Sequence, residues 1–131
     1  MIKEYITCTI ILVLVLGLNY FFSVQTKNNL DYAKDMLENI KSELTNLNDK
    51  QDNDKVIKKI EDLENRWEEI YHKLAFYIEH DELEKVENNL ISVKSFTESK
   101  EYNEAISDLD KSLFTLEHIN KKYLFKLENI F

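Results

Sequence analysis

The sequence predicts an all-α protein: an N-terminal transmembrane helix followed by an antiparallel bundle of about four helices, arranged as two helical hairpins. Three observations carry this expectation. Residues 5–22, YITCTIILVLVLGLNYFF, contain no charge. The apolar residues beyond them recur at alternating spacings of three and four, the pattern of helices with one buried face. The chain has no proline, and its single glycine, Gly17, lies inside the apolar run, so the remainder lacks the residues that tight turns favour. The length divides into a membrane anchor at 1–27 and one acidic helical domain at 28–131, long enough for a modest core.

The uncharged run is bounded by Lys3 and Glu4 on one side and Lys27 on the other. As a helix it spans roughly 27 Å, close to the ~30 Å of a bilayer's hydrocarbon. It is longer than the apolar core of a secretory signal, and no small-x-small cleavage site comes after it, so an uncleaved signal anchor is expected. Tyr5, Tyr20, Phe21 and Phe22 stand near its ends, where aromatic rings settle at headgroup level. Asn19, its one strongly polar residue, suits either the membrane interface or a hydrogen bond to a neighbouring helix. The flanking lysines do not decide orientation; a short N-terminal anchor favours an extracytoplasmic domain.

Beyond the anchor, Leu30, Ala33, Leu37, Ile40, Leu44 and Leu47 form one stripe, on a helix that continues out of the span without a break. Asn48–Asp54, NDKQDND, has no apolar residue and reverses the chain, with Asp52 or Asp54 able to cap the next helix. A second stripe runs Val56, Ile60, Leu63, Trp67, Ile70, Leu74, Ile78. A third starts near Glu79-His80-Asp81-Glu82, with Asp81 as the expected cap, and carries Leu83, Val86, Leu90 and Val93. Ser95–Glu101 interrupts the pattern. The fourth begins near Tyr102 or Asn103 and carries Ala105, Ile106, Leu109, Leu113, Leu116, Ile119 and Tyr123. A shift of 49 positions superposes the second stripe on the fourth, a faint internal repeat consistent with two stacked hairpins.

Twenty-five acidic residues against 17 basic ones give a net charge of −8. Such a surface repels nucleic acid and anionic lipid, so no nucleic-acid partner is expected. Cys8 is the only cysteine, which excludes an intrachain disulfide. No nucleophile with its base, no phosphate-binding glycine loop and no metallohydrolase motif is present; neither catalysis, nor a cofactor, nor a small-molecule substrate is expected.

The order Trp67, His80-Asp81-Glu82-Leu83, His118-Ile119 and Asn129-Ile130-Phe131 resembles a family of small, single-span helical proteins of spore-forming Gram-positive bacteria, catalogued as domain of unknown function 4363. The resemblance covers nearly the whole chain. It implies an extracytoplasmic helical domain on a membrane anchor and a role connected with spore or envelope membranes, and it implies no activity.

Two groups of residues remain as candidate sites. His80 and Glu84 share a helix face at i, i+4, and with Glu82 and His118 they could hold a divalent metal or sense pH. The plainer reading is histidines packed against carboxylates. The C-terminal segment carries Tyr123, Leu124, Phe125, Leu127, Ile130 and Phe131, six apolar residues in nine that cannot share one helix face. They either close the end of the bundle or dock a partner. Phe76 and Phe114 lie off their stripes and either widen the core or mark a patch for a second chain, whereas Trp67 reads as core. The expectation is an accessory or interaction subunit of an integral-membrane partner. Its alternatives are a metal- or pH-responsive module on His80 and His118, and a self-associating structural protein of the envelope or spore membrane.

Overall fold

The structure, a computed structural model, describes residues 1–130, with side chains described through Tyr123. Four helices succeed one another: α1 (Ile2–Asn46), α2 (Asp54–Leu74), α3 (His80–Glu98) and α4 (Tyr102–Ile130). Each packs against its neighbours in sequence, and α4 closes the ring against α1. This is an up-down-up-down antiparallel bundle, the arrangement that short connections between amphipathic helices enforce.

The first helix does two jobs. From Ile2 to Phe22 every residue is exposed; from Thr26 onward Leu30, Ala33, Leu37, Ile40 and Leu44 enter the core. The other three walls are Val56, Ile60, Leu63, Trp67, Ile70 and Leu74 of α2, Leu83, Val86, Leu90 and Val93 of α3, and Ala105, Leu109, Leu116 and Ile119 of α4. All sit at the three-and-four spacing that keeps a helical stripe facing inward.

The structure corrects the expected element ends. Neither Asp52 nor Asp54 is the N-cap of α2; Asn53 holds that place, and Asp54 is the first helical residue. The Asp52 carboxylate instead accepts a hydrogen bond from the Asp54 N–H at 3.0 Å. At α3 the cap is Glu79, not Asp81, and Asp81 and Glu82 lie in the first turn, where negative charge suits the helix dipole. Ile78 lies beyond the end of α2, in the α2–α3 connection, yet is still buried.

The expected interruption at Ser95–Glu101 shrinks to Ser99–Glu101, because α3 continues to Glu98. Thr97 obscures this in the sequence: it is fully buried, its hydroxyl donating to the Val93 carbonyl at 2.7 Å, so a polar residue fills a core position. Similarly, Ser112 and not Leu113 faces the centre of the bundle from α4; Leu113 is half-buried against its edge.

The α3–α4 turn is a Schellman cap. Glu101 N–H bonds the Phe96 carbonyl at 2.8 Å and Lys100 N–H bonds that of Thr97 at 3.1 Å. The residue that turns the chain is Lys100, at φ 61°, a conformation that glycine adopts more readily. At this end Asn53 ties three elements together: its side-chain amide donates to the Thr97 carbonyl at 2.7 Å and to the Tyr102 hydroxyl at 3.2 Å. Asn53 and Tyr102 are 49 positions apart, the offset of the internal repeat, so α2 and α4 start level with each other.

Candidate functional site at the base of the bundle

The end of the bundle opposite Asn53 is the end at which α1 leaves the apolar run. There α2 turns into α3 through residues 75–79, and α4 arrives with Tyr123. Aromatic rings link these stretches of chain: Phe21 to Phe22 at 5.9 Å between centroids, Phe22 to Tyr77 at 5.9 Å, and Tyr77 to Tyr123 at 6.4 Å. Burial pushes the Tyr123 phenol up, while its hydrogen bond with buried Thr26 pulls the other way. The connection between α2 and α3 therefore sits level with Phe22, the last residue of the apolar segment 5–22.

Between α1 and this connection lies an open, mostly apolar groove of about 580 Å³, lined among others by Phe21, Phe22, Thr26, Lys73, Phe76 and Tyr77. Phe76 is 85% exposed. Its off-stripe position in the sequence has a physical cause: α2 has already ended at Leu74, so Phe76 belongs to a turn and cannot widen the core face. Phe114, 72% exposed, stays outside the core too, on the outer side of α4. The groove itself is not visible in the sequence, because its two walls are some fifty residues apart. Only the pair Phe76-Tyr77, aromatic residues in a connection, hints at it.

The histidine candidates divide into two separate contacts. His118 Nε2 lies 3.3 Å from Glu82 Oε1, and Lys122 Nζ lies 3.7 Å from the same oxygen and 3.1 Å from Glu79. The hydrogen bond to Glu79 holds the Lys122 amine above the usual lysine range, against partial desolvation and with help from Glu82. His80 instead meets the Tyr71 hydroxyl through Nδ1 at 3.2 Å. Desolvation pushes that phenol up, with a further rise from the charges of Glu84, Glu87 and Asp81. Among the described residues, no three His, Cys, Asp or Glu side chains come together as a metal site requires, so His80, Glu82, Glu84 and His118 are not assembled into one. Glu82 and His118 pair across α3 and α4, and this tie is compatible with a structural role.

Of the C-terminal candidates, Tyr123 packs at the base against Tyr77. The side chains of Leu124, Phe125, Leu127 and Ile130, and all of Phe131, lie outside the described residues.

The apolar part of α1 is uncovered. In an 18-residue window long and apolar enough to cross a membrane, none of the residues is buried by the rest of the chain. It is not the core helix of a globular domain, which would pass the same length and composition test while being covered.

Over residues 24–130 the chain matches a family model described as Domain of unknown function (DUF4363), a range that starts two residues after the apolar segment 5–22. No curated protein and no solved structure matches it.

Proposed function

The chain belongs to the DUF4363 family, and from that premise we propose that it is a single-span membrane protein whose helical domain works by contact with an integral-membrane partner, without catalysis of its own. The observation that carries this reading is the division of α1. One unbroken helix has an apolar half whose residues 2–22 all stay exposed and a second half built into a closed four-helix core. Water disfavours the first half strongly, since each exposed large aliphatic side chain forgoes roughly 1.5–3 kcal/mol of burial. A bilayer removes that cost, and residues 5–22 match its thickness. Asn19, inside the run and exposed, is available to bond a partner helix where few other polar groups compete. The resemblance carried by Trp67, the His80–Leu83 run and Asn129-Ile130-Phe131 supports an extracytoplasmic bundle and a place in spore or envelope membranes.

The test is to purify the full-length, C-terminally tagged protein from its own membranes in mild detergent. An integral-membrane protein held in stoichiometric amount is expected; a solitary chain overturns the accessory-subunit reading. The anchor is checked separately by alkaline carbonate washing of the membranes, which should leave the protein in the pellet. Release into the supernatant would contradict a span.

A further inference from the structure

We propose that the base of the bundle lies directly on the bilayer, with Phe76 inserted at the boundary between phospholipid headgroups and acyl chains. The proposal rests on the single-span reading above and adds to it a second, independent contact with lipid.

The first step is depth. Phe22 ends the apolar segment 5–22, with Ser23, Gln25 and Thr26 following before Lys27, and the Tyr77 ring lies 5.9 Å from it. A bilayer whose hydrocarbon covers residues 5–22 therefore ends at the level of the α2–α3 connection. The second step is chemistry. Phe76, beside Tyr77 in that connection, exposes nearly its whole ring, and with Phe21 and Phe22 it lines the apolar groove. Lys73 stands at the same groove, exposed and without an ion-pair partner among the described residues. Rings at the headgroup level beside a lysine, whose long stem can cover apolar surface while its ammonium stays in the polar layer, match a phospholipid: acyl carbon below, phosphate above. The third step is continuity. The groove shares its wall with the span, through Phe21 and Phe22, so any lipid around the end of the span already borders it. A soluble partner would first have to displace that lipid.

The test uses tryptophan as a depth probe in the full-length chain, reconstituted in phosphatidylcholine vesicles whose acyl chains are brominated both near the carbonyl end, at the expected depth of position 76, and near the methyl end, at the depth of the middle of the span. Trp67 is buried in the bundle core and serves as the constant background. Phe76→Trp replaces an exposed ring by a larger one at a position with no core role, and Leu14→Trp places a reference probe within the span. The expected result is a loss of fluorescence, relative to the unsubstituted chain, for both variants, with emission from position 76 shifted to the blue. If Leu14→Trp is quenched while Phe76→Trp stays bright, is quenched by iodide from the water and emits to the red, the span stands and the docking proposal is overturned. That outcome would leave the base free for a protein partner. If Leu14→Trp is not quenched, the anchor itself fails and the docking fails with it. Circular dichroism of each variant, expected to be unchanged, confirms that the bundle is intact in all arms.

Discussion

Ser112 lies fully buried in α4, and among the described residues its hydroxyl has no hydrogen-bond partner. Burying such a group without a partner costs roughly 1–3 kcal/mol. Ser112→Ala is therefore expected to leave stability unchanged or raise it by about 1 kcal/mol in urea titrations, and a clear loss would show that the hydroxyl is bonded after all. Asn53 is the opposite case, a buried amide whose donors are used twice across the bundle. Asn53→Asp turns a donor into a charged acceptor facing the Thr97 carbonyl; a loss of about 2–3 kcal/mol is expected, more than for Asn53→Ser. Asp108 shows how a buried charge is tolerated. Burial pushes its carboxyl up, but the hydrogen bonds from Lys111 at 2.7 Å and from the Ser92 hydroxyl outweigh that and hold it below the usual aspartate range. A carboxyl with a lowered folded-state value stabilises the fold above its unfolded value, near about 3.9, and loses that contribution as pH falls through the folded value. Asp108→Asn is thus expected to cost about 1–2 kcal/mol at neutral pH, with the two unfolding curves converging below about pH 4.

At the scale of helices, the ends and contact lines show which neighbour each one takes. Every adjacent pair carries a polar tie: Lys59 with Glu43 between α1 and α2, Lys94 with Glu61 at 3.0 Å between α2 and α3, Lys122 with Glu79 at 3.1 Å between the start of α3 and α4, and Lys41 with Asp110 at 2.6 Å between α4 and α1. Each is partly exposed and contributes little stability. Their value is in disfavouring other pairings, since stripes alone would fit several arrangements. Arg66 over the Tyr32 ring, at 5.5 Å, adds to the α1–α2 line. The α3–α4 turn is where the chain is least comfortable. Lys100 takes a left-handed conformation that disfavours a side chain by about 1 kcal/mol, and its amine reaches the Asp49 carbonyl only at the exposed surface. Lys100→Gly should stabilise the bundle by about 0.5–1 kcal/mol and raise the melting temperature by a few degrees, measurable by thermal circular dichroism.

For the whole molecule, the question is how the two halves of α1 depend on each other. The described core takes nothing from residues 2–22, since its first apolar member is Leu30 and its first buried residue Thr26. A chain beginning at residue 24, where the family match also begins, should fold cooperatively and stay helical in water, with its exposed base prone to self-association. Non-cooperative melting of that chain would mean that the apolar half of α1 helps to hold the bundle. The base, not the distal end, is the surface we propose to face the membrane. The distal end, with Asn48–Asn53 and Ser99–Glu101, projects about 30 Å away along α1.

Much of this was legible in the residues. Charge-free length marks a membrane-spanning segment because hydrocarbon admits little else, and three-and-four spacing marks helices because it is the repeat at which side chains share a face. Those two rules yield four helices, the reversal at NDKQDND and most of the core, down to Trp67. They misjudged Thr97 and Ser112, because a hydroxyl can enter a core when it bonds its own helix or when packing leaves no alternative, and no periodicity reports which. They also could not pair the histidines. His118 meets Glu82 and His80 meets Tyr71 because antiparallel packing sets the level of α3 against α4 and of α2 against α3, a property of the assembled bundle. The groove at the base has the same origin: Phe22 and Phe76 are distant in the chain and become one surface only when α2 returns to the level at which α1 leaves the apolar run.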